Sequence, residues 1–161
     1  IWAEGVISMK ASTRFSDSIH ILAFINIYQG TLPLTSNNIA SSIGTSPVVV
    51  RRLMSQLRKA GLLNTVHGAA EPTLAKEPAK ISLYDVYLAV EDDAPLFTID
   101  RKTNPQCIVG GNIQETLGEV YHEAEVAAEA RLARTSLQDI IDSIQVKQSQ
   151  KEAQQRKEGS A

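Results

Sequence analysis

Apolar residues recur along this chain at steps of three and four, the spacing that lines one face of an α-helix. From Ser16 onward Ile19, Leu22, Ala23 and Ile25, with Phe24 and Ile27 alongside, predict a strongly apolar first helix stopped by Gly30 and Pro33. Thr35 or Ser36 can cap a short second helix holding Ile39, Ala40 and Ile43, and Gly44 ends it. Ser46-Pro47 then restarts helix at once, because proline at the first helical position lacks only a donor that would be orphaned there. A third helix over Pro47 to Ala60 follows, closed by Gly61. Leu62 to Val66 and Thr73 to Ala75 read as two strands around a turn at Gly68 to Pro72, together a small wing.

The second half reads as helices separated by one loop and followed by a polar tail. Ser82 opens a helix carrying Leu83, Val86, Tyr87 and Val90, which runs out at Glu91-Asp92-Asp93 before Pro95. A loop with Asn104-Pro105 and Gly110-Gly111 follows, and Asn112 can cap the longest helix. Along that helix Ile113, Leu117, Val120, Ala124 and Ala127 step by four and three, a seam of the coiled-coil kind. Ser136 caps a last short helix with Leu137, Ile140, Ile141 and Ile144, and the polar stretch 147–161 reads as a disordered tail. Residues 1–8 precede Met9 and read as an appended remnant outside the fold. The predicted class is mainly α with a small β-wing, a winged helix-turn-helix over 9–80 followed by a helical linker and dimerisation region over 81–146.

Composition sharpens this picture where it is divided along the chain. The total charge is −2 over 161 residues, yet residues 9–80 carry eight Lys and Arg against three acids, while 81–161 carry eight against fourteen. The first part suits phosphate and the second suits solvent or a protein partner. No run approaches the roughly 18 apolar residues of a membrane span, so a cytoplasmic protein without membrane contact is expected. A single cysteine, Cys107, excludes an internal disulfide and a cysteine-rich metal site within one chain. No nucleophile with its base, no paired carboxylates and no phosphate-binding glycine loop stand out, which argues against an enzyme.

The candidate chemistry lies between Thr35 and Ala60, where two helices joined by Gly44-Thr45-Ser46 must cross steeply in a helix-turn-helix arrangement. Val50, Leu53, Met54 and Leu57 form the inward stripe of the second helix. Residues 45–60 hold four cations and no acid, as a helix entering the major groove requires, since a carboxylate there would meet phosphate. The DNA-contacting candidates on this helix and its cap are Ser46, Val49, Arg51, Arg52, Ser55, Arg58 and Lys59. The same pattern also suits two ordinary core helices with a solvated face, and residues alone leave both open.

Met9-Lys-Ala-Ser-Thr-Arg-Phe-Ser-Asp-Ser-Ile-His20 and Pro47-Val-Val-Val-Arg-Arg-Leu-Met-Ser-Gln-Leu-Arg-Lys-Ala-Gly-Leu62 resemble bacterial Rrf2-family regulators. The likeness extends through Leu74-Ala-Lys76, Ile81-Ser-Leu-Tyr-Asp-Val-Tyr87 and Asn112-Ile-Gln114. The resemblance implies DNA binding by the helix at 47–60, a wing at 62–76, and homodimerisation through the helix at 112–135. The expected function is a sequence-specific transcription regulator, a repressor, with an operator duplex and a second copy of itself as partners. Two departures qualify it. The wing reads His67-Gly-Ala-Ala-Glu-Pro-Thr73, with His67 where the family carries arginine, either a DNA contact to phosphate or, the reading preferred from sequence, a solvated side chain. The loop before the long helix offers one cysteine where iron-sulfur members carry three, so no cofactor is expected. Cys107 stands either as a redox thiol or, the reading preferred from sequence, as an inert and partly buried one. A dimeric interaction module without DNA binding, a thiol-sensing regulator and control by a small molecule remain the alternatives.

Overall fold

The computed structural model describes residues 12–64 and 71–160. Helix α1 (Thr13–Tyr28) starts three residues before the expected Ser16, because the Ser12 hydroxyl accepts from the Arg14 N–H at 3.2 Å and caps it. Five consecutive residues, Ile21 to Ile25, are buried. A helix buried on all sides at its middle is a central one, and α1 touches every layer around it.

Helix α2 (Ser36–Ile43) is capped by Thr35 and ends where Gly44 takes φ +83° and gives its N–H to the Ala40 carbonyl at 2.8 Å. A left-handed residue there turns the chain within three positions into α3 (Pro47–Lys59), so α2 and α3 must pack on each other. Strands β1 (Leu63–Asn64) and β2 (Thr73–Leu74) pair antiparallel, Leu63 opposite Leu74, and the Ala75 N–H reaches the Leu62 carbonyl at 3.1 Å. Strand β2 ends one residue before the predicted Ala75, and residues 65–70 of the expected wing, with His67, lie outside the described residues.

A 3₁₀ turn (Pro78–Lys80) leads to α4 (Leu83–Val90). Helix α4 and the last helix α6 (Leu137–Gly159) begin side by side: the Leu83 N–H donates to the Thr135 carbonyl at 2.9 Å and the Leu137 N–H to the Ile81 carbonyl at 2.7 Å. Each start carries a reciprocal Ser-x-x-Asp cap, Ser82 with Asp85 and Ser136 with Asp139. Between them runs α5 (Ile113–Ala133), 21 residues with none buried. Asn112 precedes it but does not cap it, since its side-chain amide donates backward to the Ile108 carbonyl at 2.8 Å.

Helix α6 corrects the expectation of a short helix and a disordered tail over 147–161. It continues through Gly159, which the sequence permits because residues 145–158 contain no proline or glycine and are dominated by Gln, Lys, Glu, Ala and Arg, all good helix formers. Side-chain bonds at i,i+4, Gln148 to Glu152 and Gln154 to Glu158, reinforce it. Low apolar content signals a surface without a core, which a solvated helix extension also satisfies. No helix among the described residues is long and apolar enough to cross a membrane.

Candidate nucleic-acid interface

Helix α3 is held from one side only. Val50, Leu53 and Leu57 are fully buried, in contact with α1, α2 and α4, while Met54 is half-buried. Each buried side chain contributes about 1.5–3 kcal/mol, enough together to fix the helix's rotation about its axis. At roughly 100° per residue this leaves Val48, Arg52, Ser55 and Lys59 along the outermost line, about 16 Å long, with Arg51 and Arg58 flanking it. Arg51, Arg52, Arg58 and Lys59 are all exposed. The ion pairs among the described residues, Arg14 with Glu91 and Asp92 and Lys80 with Glu77, involve none of these four cations. Arg58 and Lys59 also occupy the last turn, where the helix dipole favours positive charge.

The other predicted contacts have local duties. The Ser46 hydroxyl accepts from the Val49 N–H at 3.4 Å and so caps α3. Val49 is half-buried and packs against the core, and Ser55 is half-buried. Val48, 65% exposed on the outer line, is a further candidate that sequence reasoning missed. Its signal was available, since it lies four residues before Arg52 on the face away from Leu53.

Two contacts brace this head. His20 Nε2 and the Ser42 hydroxyl lie 2.7 Å apart, tying α1 to α2. Glu71, an acid out of place on a wing that would face phosphate, accepts the Leu34 N–H at 3.1 Å and anchors the base of β2 to the α1–α2 connection. Nothing in the sequence distinguishes that carboxylate from a solvated one.

Helix α5 is clasped on one side by the loop before it. Glu125 accepts the Leu96 N–H at 2.7 Å, Gln114 donates to the Asp100 carbonyl at 3.1 Å, and Phe97 lies 5.1 Å from Tyr121. The predicted seam lies beside this face. Ile113 and Leu117 are half-buried, whereas Val120, Ala124 and Ala127 are exposed, Val120 by 56%. Cys107 is also exposed, against the preferred expectation of a partly buried thiol. Bonds from the Gly110 and Val109 N–H groups hold its pKa below the ordinary value, because they favour the thiolate. The tight loop has turned these donors inward upon the sulfur, which spacing alone could not reveal.

The Rrf2 family model, described as that of an iron-dependent transcriptional regulator, matches residues 11–143. YwnA of Bacillus subtilis (strain 168), whose name assigns it to the HTH-type transcriptional regulators, is 40% identical over 133 residues, 83% of this chain and 98% of YwnA. A crystal structure presented as that of a DNA-binding protein is likewise 40% identical, with a TM-score of 0.64 over 80% of this chain and 98% of that one. IscR of T. potens shares the fold, with a TM-score of 0.63 at 23% identity over 87% of this chain and 91% of that one. An iron centre does not fit the residues present. The sequence holds one cysteine, and among the described residues no group of three or more His, Cys, Asp or Glu could hold a metal.

Proposed function

The chain belongs to the Rrf2 family of transcriptional regulators, which are not enzymes, and from that premise we propose that it is a cytoplasmic homodimer that reads double-stranded DNA through α3. The observation that carries this reading is the exposed face of α3, with four cations, no acid and a rotation fixed by a buried stripe. That face suits the major groove, where an isolated helix can reach base edges and an acid would be repelled by phosphate.

Within it the cations divide by position. Arg52, on the outermost line, presents a planar fork suited to guanine, with Arg51 as the next candidate. Val48 beside it suits a thymine methyl. Lys59 and Arg58, at the helix end, suit the phosphate backbone as positioning contacts, and Ser46 and Ser55 complete the set. His67, outside the described residues, is proposed as a further backbone contact. The exposed seam of α5 supports pairing of two such heads, and repression by occupancy of the operator is the output proposed.

The test compares Arg52→Ala and Lys59→Ala on a cognate duplex and a scrambled one across a salt series. Arg52→Ala is expected to lose roughly 1–3 kcal/mol on the cognate duplex and little on the scrambled one. Lys59→Ala should weaken both equally and reduce the salt slope by about 0.9 for each phosphate it no longer neutralises. Equal losses for Arg52→Ala on the two duplexes would remove it from base reading.

A further inference from the structure

A cavity of about 550 Å³ lies between α4, the loop that follows it and the C-terminal half of α5, and no residue of α2 or α3 lines it. Its volume falls in the range that encloses small organic ligands, about 300–1,000 Å³. One wall is aromatic. Phe15 meets Tyr87 edge to face at 5.5 Å, and Tyr84 stacks near Tyr87 at 6.3 Å between ring centres. Leu88, Leu96 and Leu132 add apolar surface.

The charge on the lining is one-sided. Glu91, Asp92, Asp93, Glu125 and Glu129 face a single guanidinium, Arg131. Some of these are engaged. Glu91 accepts from the Ser12 N–H and hydroxyl and lies 3.5 Å from Arg14, which also approaches Asp92 at 3.7 Å. Glu125 holds the backbone of Leu96. Arg131 turns to the Thr135 hydroxyl. Glu129 and Asp93 enter no hydrogen bond or ion pair among the described residues, so negative charge is left over beside the rings. The Tyr87 hydroxyl senses it: its pKa is raised by burial and then by Glu91, Glu125 and Glu129.

A neutral apolar ligand would leave this field unused, and an anion would be repelled by it. A cation with an apolar body satisfies both features, since aromatic faces attract cations electrostatically while their area covers apolar groups. We propose that this cavity binds an apolar organic cation, a quaternary ammonium, phosphonium or protonated amine carrying aromatic or aliphatic groups. The position suits an effector site, because Phe15 belongs to α1 and α1 packs directly on α3. The binding itself stands apart from the DNA-reading proposal and is measured without DNA.

The test uses two probes of one shape and opposite charge, tetraphenylphosphonium and tetraphenylborate, titrated calorimetrically into the full chain in its native oligomeric state. Tetraphenylphosphonium is expected to bind at micromolar concentration and tetraphenylborate at least tenfold more weakly. Glu129→Gln, an exposed and nearly isosteric change, should weaken the cation at least fivefold without altering thermal melting, and adding Asp93→Asn should weaken it further. Equal or tighter binding of the anion would overturn the proposal. So would cation binding indifferent to both substitutions, or no heat from the cation up to millimolar concentration, the result expected if side chains of a second copy fill the cavity.

Discussion

Replacing Val120 by glutamate isolates the proposed dimer seam better than any other change in α5. Leu117, the second position of the predicted stripe, is half-buried against its own subunit, so a charge there would disturb the loop before α5 as well as any interface. Val120 is 56% exposed, and its outer half has nothing to pack on within one subunit. Full burial of a valine contributes about 1.5–3 kcal/mol, so the half still to be covered contributes about 1 kcal/mol per subunit. A two-fold interface counts it twice, about 2 kcal/mol, and Val120→Ala should raise the dimer Kd about 30-fold. Val120→Glu adds a carboxylate to each side of a desolvated seam, an unpaired charge costing several kcal/mol more. Sedimentation velocity at micromolar concentration should then show monomers, with thermal melting of the isolated subunit unchanged because the substituted half of the side chain faces away from its own core. A Val120→Glu protein that still sediments as a dimer would remove this face of α5 from the interface.

Two further outcomes follow from the same geometry. The Asp139 carboxyl is held below its ordinary value of 3.8 by the Ser136 N–H and hydroxyl; a depressed carboxylate stabilises the fold above its unfolded value and ceases to do so as pH falls through the folded one. Thermal melting should therefore drop below about pH 4 by more in the wild type than in Asp139→Asn, and identical acid profiles would show that this cap is silent. Cys107, exposed and with its thiolate favoured, should be alkylated by iodoacetamide in the native protein faster than a free cysteine, while Cys107→Ser keeps its DNA affinity in the absence of oxidant. Loss of DNA binding on oxidation of the wild type but not of Cys107→Ser would show that this reactive thiol controls DNA binding.

What could be read from the sequence follows from how local each signal is. The caps at Thr35, Ser46, Ser82 and Ser136 and the stops at Gly44 and Gly61 act within four residues, so helix order and the α2–α3 turn were legible from residue type. The inward stripe of α3 was legible too, because period and burial coincide at Val50, Leu53 and Leu57. Contacts across long separations were not. Glu71 reaches Leu34 from 37 positions away, and Glu91 reaches Ser12 from 79, and neither carboxylate differs in sequence from a solvated neighbour. The continuation of α6 was hidden for another reason: polarity without an apolar stripe reads as disorder, although helix propensity and i,i+4 pairing need no apolar face.

The central claim, that α3 of a two-headed regulator reads base sequence, is tested most directly by selection of binding sites from random duplex DNA with the purified full chain. The account predicts enrichment of a two-fold symmetric sequence with half-sites about 10–10.5 base pairs apart, or a multiple of that, bound in the absence of iron with an affinity that falls steeply with salt. Recovery of no sequence above the input pool, with binding equal on every duplex, would contradict it.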